Sequence, residues 1–295
     1  MKKLIKMELK KAILSKFFVL GLLLLLVFAL FSTWYMLENR IAYNPSSILN
    51  DSSSFENGKF KTNPDLPLFG FYNSWLGAEV LSLGQTLFYN LLPVAVAIPY
   101  AWSYHKERKN GYLKNIASRT DKKKYFIAKI IAVFTSGVLV VFIPIIINIA
   151  LVSAFVPSIS PFPGYTLYNY LYIGDMWIEY YYNNPAVYVA LYVTLDCLYG
   201  GLFALLSFAI SFYIKSMLAV LFTPYILCMV TGYINGIIVS NLNSSTLIEF
   251  RPTVFLHSLQ PSSNRLWWVI LLITLVITLF SLITITVRGF KDEIF

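Results

Sequence analysis

Six stretches of this chain are each long and apolar enough to cross a bilayer: 17–37, 80–104, 125–156, 186–214, 217–240 and 266–287. A hydrocarbon core of roughly 30 Å calls for about 20 apolar residues in helical form. Backbone in lipid must satisfy its own polar groups, and a helical bundle does so. Composition agrees: 58% of the 295 residues are hydrophobic and 13% are charged, about half the charged share of a soluble domain. A soluble chain this apolar has too little polar surface to cover itself. The expected fold is therefore all-α integral membrane, with six transmembrane helices in one domain over 17–295. Pro93 and Pro99 fall inside the second stretch. The third is long enough to project beyond the bilayer and is expected to bend at Pro144.

Charge orients the bundle. Lys and Arg gather on the cytoplasmic side of membrane proteins. With the N-terminus inside, 18 of the 23 Lys and Arg residues fall on the cytoplasmic face. Only Arg40, Lys59, Lys61, Arg251 and Arg265 fall outside. Both termini are expected to be cytoplasmic. The basic start followed by an apolar run looks like a signal peptide, but the run has full spanning length. Trp34, Tyr35 and Met36 stand where a small-residue cleavage site belongs, so the first span is expected to be retained.

Two cytoplasmic segments carry internal pattern. In 1–16, Ile5, Leu9, Ala12 and Ile13 share one helical face, with Lys3, Lys6 and Lys10 opposite. That pattern predicts an interfacial helix leading into the first span. The loop 105–124 lies in a stretch, 103–129, that holds nine Lys and Arg residues. Within it Tyr112, Leu113 and Ile116 share a face, and Glu107 sits in the first turn, where a helix N-terminus favours an acid. A short amphipathic helix held at the membrane can rest on anionic headgroups or dock into a protein.

An interfacial helix, a patterned basic loop after the second span, and four further spans together resemble the membrane subunit of ABC-2 type exporters. That family's loop carries an acid, basic residues, a glycine and an apolar cluster. Here the pattern reads Glu107, Arg108, Lys109, Gly111, Tyr112, Leu113 and Ile116. The stretch "SRTDKKKYFIAK" looks like the family's Ser-Arg segment and basic approach to the third span. The resemblance implies that 1–16 is an elbow helix and that the loop is a coupling helix seated in a separate ABC ATPase subunit. It further implies two ATPase copies, a second permease subunit (a homodimer or a related chain), and ATP and Mg bound by the partner. The chain has no G-x-x-x-x-G-K-[ST] of its own.

The outer loops are 38–79, 157–185 and 241–265. The first is polar and irregular over most of its length. The second holds seven Tyr and one Trp and no Lys or Arg. It reads either as an interfacial aromatic belt or as an exit surface for an amphipathic substrate. Part of the third, 246–259, matches by position the short re-entrant or interfacial helices that form an outer gate in the resembled family. Asp196 lies near the middle of the fourth stretch, where a carboxylate normally faces a cavity or a partner. Substrate path, subunit contact and structural hydrogen bond all remain open for it, and more weakly for Asn148 and Asn235. Gly232 and Gly236 read as helix packing. Cys197 and Cys228 fall in apolar stretches and suggest neither a disulfide nor a metal site.

Other classes fit less well. A membrane enzyme needs clustered catalytic groups, and the two histidines, His105 and His257, fall on opposite sides in this topology. A stand-alone secondary transporter tends to show internal repeats, and none is apparent between the two halves. A structural or receptor-like protein does not require the patterned loop. The expected function is thus a non-catalytic permease subunit in a bacterial plasma membrane. It would export a peptide, antibiotic or lipid-like substrate and bind lipid but no nucleic acid. The alternative is a secondary transporter or other polytopic protein without an ATPase partner.

Overall fold

The computed structural model describes residues 1–42, 55–56, 59–60, 70–79, 82–111, 121–161, 176–242, 250–259 and 266–289. Helix α1 (Lys2–Ile13) is followed at once by α2 (Lys16–Ala42). Ser15 caps α2: its hydroxyl accepts from the Phe18 amide at 3.0 Å and donates to the Ala12 carbonyl at 2.9 Å. Lys3, Lys6 and Lys10 are exposed, while Ala12 is buried and Ile5, Leu9 and Ile13 are half-buried. The amphipathic reading of 1–16 therefore holds as a helix with those faces.

In the 38–79 segment two short strands, β1 (Phe55–Glu56) and β2 (Lys59–Phe60), pair antiparallel. A one-turn helix, α3 (Phe71–Ser74), precedes α4 (Leu83–Ala95) and α5 (Ser103–Lys109). Then come α6 (Lys122–Phe155), α7 (Ile178–Asn183), α8 (Pro185–Ile210) and α9 (Met217–Leu242). A one-turn α10 (Pro252–Phe255) leads to α11 (Trp267–Thr284), which ends in a π-helical turn, Ile285–Gly289.

Among the described residues five helices are long and apolar enough to cross a membrane: Lys16–Glu38, Lys122–Phe155, Pro185–Ile210, Met217–Ile237 and Trp267–Gly289. The remaining expected span, 80–104, is not one continuous helix. After α4 the chain runs through turns over 96–102 before α5 resumes. Pro99 has no N–H, so it cannot bond the Ala95 carbonyl. Shorter bonds take over, from Ala97 N to Val94 O at 3.1 Å and from Ser103 N to Tyr100 O at 3.1 Å. This irregular backbone is shielded by protein: Ala95, Val96, Ala97, Tyr100 and Ala101 are all buried, as non-helical backbone at membrane depth requires. Pro144 behaves differently, since α6 runs through it uninterrupted for 34 residues.

Helix α8 is the centre of the bundle. Its apolar window is 72% buried, against 22% for α9 and 28% for α11. It packs chiefly on α6. They cross at Gly137 and Gly200, where a Cβ on Gly137 would stand 2.5 Å from the Gly200 carbonyl oxygen. By contrast Gly232 faces the Arg251 side chain and a Cβ on Gly236 would meet open space. Among the described residues no helix approaches that pair.

The helix ends sort into two sets. At one end Tyr104, Phe126, Phe208 and Phe212 form an aromatic cluster, with Gly289 against Phe126. At the other, Phe71 N donates to Pro157 O at 3.0 Å and Ser258 N to Gly77 O at 2.7 Å. Tyr188 donates to the Ser258 carbonyl at 2.6 Å.

Candidate functional site

At the end that holds the aromatic cluster, α1, the 96–102 turns, α5 and the start of α6 meet around one buried lysine. Lys129 has no exposed surface, although it lies about two turns into α6. Its ammonium forms a salt bridge with Glu107 and donates to the Tyr125 hydroxyl at 2.9 Å. It also lies over two rings, Tyr100 at 5.1 Å and Tyr125 at 5.2 Å. Tyr125 donates to the same Glu107 oxygen. Glu8 closes the cluster from α1: fully buried, it accepts from the Tyr100 hydroxyl at 2.6 Å and pairs with Lys11 at 3.0 Å. Two carboxylates and two ammonium groups thus cancel in charge. A buried ion pair is tolerable only when its remaining hydrogen-bonding capacity is met in this way.

The cluster ties the loop to its neighbours. Glu107, predicted as part of the coupling segment, joins the base of α6 through Lys129 and α1 through Tyr100 and Glu8. Gly111 has φ +68°, the left-handed conformation that ends α5 and that glycine adopts without cost from a Cβ. Arg108 and Lys109 lie on α5 beside Glu107. Tyr112, Leu113 and Ile116 lie outside the described residues. Sequence reasoning missed Glu8, Tyr100, Tyr125 and Lys129 as a unit. A signal existed: Glu8 is an acid on the apolar face of α1, and Tyr125 and Lys129 are one helical turn apart.

A second polar chain crosses the bundle toward the opposite end. Asp196, fully buried on α8, accepts from the Tyr89 hydroxyl at 3.1 Å. Its Oδ1 has no hydrogen-bond partner among the described residues. The Tyr89 ring stacks on His257 at 4.1 Å, and His257 Nδ1 meets Gln85 Nε2. Gln85 N donates to Ser82 at 3.1 Å, and Glu79 binds Ser82 N at 2.7 Å and Ser32 at 3.2 Å. Residues 252–259, placed in an outer loop from sequence, are therefore buried in the bundle, with Phe255, Leu256, Ser258 and Leu259 almost fully covered.

Asn148 is committed to protein contacts. Its amide oxygen accepts from Leu76 N at 2.8 Å and its nitrogen donates to Thr33 at 2.9 Å. Asn235 is buried on α9. Among the described residues no hydrogen bond joins Asp196, Asn148 and Asn235 to one another. The outer tyrosines divide. Tyr181, Tyr188 and Tyr192 form a buried ladder with ring spacings of 5.0 and 4.9 Å, whereas Tyr180 is exposed. Burial pushes the Tyr181 and Tyr182 hydroxyls above the ordinary tyrosine range, so Tyr181 stays a donor to Asn73. Tyr188 and Tyr192 belong to α8; of the loop's seven tyrosines, Tyr180, Tyr181 and Tyr182 are described, and 162–175 lies outside the described residues.

Long apolar helices around a close-packed central helix, with a charged cluster at one end, define an α-helical integral membrane protein. Within that class the chain belongs to the ABC-2 family transporter proteins, whose sequence model it matches over residues 4–178, more than half of its length. No curated protein and no solved structure matches it. The matched region spans α1 to α6 and includes every residue of the Lys129 cluster. Members of this family are membrane components of transporters that work with an ABC ATPase in general.

Proposed function

We propose that this chain is the permease subunit of an ATP-driven exporter, with six spans and both termini cytoplasmic. In this reading α4, the 96–102 turns and α5 together make the second crossing, shielded by their neighbours. Residues 105–120 seat on a separate ATPase subunit that binds ATP and Mg, two copies serving two permease subunits. The observation that carries the reading is the buried Glu107–Lys129 pair. It links α5, where the basic loop begins, to α6 and, through Tyr100 and Glu8, to α1. A force applied at the loop would move those elements together. A lipid headgroup reading of the loop requires no such internal tie.

ATP binding must supply the differential contact energy between two permease conformations. Asp196, at mid-depth with one oxygen unpartnered among the described residues, is the favoured point of contact with a peptide, antibiotic or lipid-like substrate. Charge reversal at Arg108 and Lys109, measured in vesicles holding the permease and its co-purified ATPase, should abolish substrate-stimulated ATP hydrolysis. Basal hydrolysis and bundle stability should stay unchanged. Substrate-stimulated hydrolysis at the wild-type rate would refute the coupling role. Transport by the purified chain with no ATPase would return the secondary-transporter reading.

A further inference from the structure

Beside the Lys129 cluster a groove of about 620 Å³ opens between the α1–α2 junction and the 96–102 turns. Its floor is apolar: Phe17 and Trp102 meet edge to face at 4.7 Å. Its rim is cationic. Lys16 and Lys106 are exposed, make no ion pair among the described residues, and flank the opening; Lys106 lies 5.4 Å over the Trp102 ring. Two further features point to an anion. The groove sits at the start of α2, a helix of 27 residues whose first-turn amides carry partial positive charge. Ser103, only 7% exposed, lines the groove, and its hydroxyl has no hydrogen-bond partner among the described residues. The other charges on the groove do not compete: Lys11 is paired with Glu8, and Glu107 with Lys129.

We propose that this groove binds one anionic phospholipid. Its phosphate is held by Lys16, Lys106 and the Ser103 hydroxyl, and an acyl chain runs down α2. The preference for a lipid over a soluble phosphate comes from what continues the groove. Phe17, Leu20, Leu23 and Val27 are exposed and follow one another at helical spacing along one side of α2. Phe17 belongs to both the groove and this apolar stripe, so a headgroup anion in the groove would have its acyl chain beside α2. The site fixes the junction between α1 and the first crossing, where the Lys129 cluster is anchored.

The test is native mass spectrometry of the full chain in detergent, titrated separately with phosphatidylglycerol, phosphatidylcholine and glycerol 3-phosphate. Phosphatidylglycerol should bind most tightly. A lysine near anionic headgroups contributes a factor of about five, so K16Q/K106Q should lose about 30-fold. The K16R/K106R variant should retain binding, and K3Q/K10Q, on the exposed face of α1, should lose nothing. Ser103→Ala, which leaves the fold's packing in place, should weaken phosphatidylglycerol binding, and unchanged binding would remove the hydroxyl from the site. Equal binding of the two lipids would overturn the proposal. So would an equal loss in K3Q/K10Q, which would signify diffuse surface attraction. Binding of glycerol 3-phosphate as tight as that of the lipid would make this a site for a soluble anion and refute the acyl-chain contact.

Discussion

Lys129 shows how one residue can organise a site. A lysine with no exposed surface is stable only while its partners remain. Lys129→Met leaves Glu107 and Glu8 facing one another with less cation between them, and is expected to destabilise the bundle by about 3–5 kcal/mol. Glu107→Gln alone strands the ammonium and should cost a similar amount. The double variant, Glu107→Gln with Lys129→Met, removes both charges and should recover most of the loss. Thermal unfolding of all four proteins in detergent reads this coupling directly, and additive losses would show the pair to be unimportant. Little of this was legible beforehand. Glu107 stands out because it precedes a basic run, but Lys129 is lost among the charges of its loop. Sequence shows that a lysine is near an apolar run; only the fold shows that two tyrosines and two carboxylates enclose it.

At the scale of elements, hydropathy located the apolar stretches well, because every spanning helix must show its length in composition. It could not separate a continuous crossing from a broken one, since Val96, Ala97 and Ile98 in the turns are as apolar as Val94 and Ala95 in α4. Pro93 and Pro99 looked alike in sequence. Only Pro99 coincides with the change to shorter bonds, while Pro93 is absorbed within α4. The break lets α5 turn against the Lys129 cluster, so Pro99→Ala should favour a longer helix and misplace Glu107. The expected result is a lowered Tm from the stranded Lys129, raised helix content over 96–102 by amide exchange, and impaired coupling. Unchanged exchange in that segment would show that the turns are imposed by packing alone. The α6–α8 crossing offers a contrasting case. A Cβ at Gly137 meets backbone on α8 rather than a movable side chain, so Gly137→Ala should destabilise by about 1–3 kcal/mol through overpacking. Tm in detergent checks it. The glycine pair that sequence spacing did advertise, Gly232 and Gly236, makes no such approach among the described residues, because spacing on one helix says nothing about what faces it.

For the whole molecule the decisive matter is which face meets the cytoplasm. Contacts already divide the helix ends into two sets: Tyr104, Phe126, Phe212 and Gly289 gather at one end, and Gly77, Pro157, Tyr188 and Ser258 at the other. That division follows from packing and needs no membrane. Charge supplies the direction, because 18 of 23 Lys and Arg residues fall on the end with the Lys129 cluster and the basic loop under the six-span reading. The two native cysteines are buried, so introduced thiols can be read against a quiet background. Single cysteines at the exposed positions Lys10 and Ser216 mark one end, and at Tyr180 and Asn183 the other. A membrane-impermeant maleimide on intact cells should label Tyr180→Cys and Asn183→Cys at once, and Lys10→Cys and Ser216→Cys only after permeabilisation. The reverse pattern would put the loop out of reach of any cytoplasmic ATPase and end the coupling proposal. Labelling of Lys10→Cys and Ser216→Cys from opposite faces would mean that the 80–104 stretch does not cross, because five crossings leave α1 and the α8–α9 turn on different sides. The broken second element is therefore the point on which the topology turns, and four cysteines are enough to decide it.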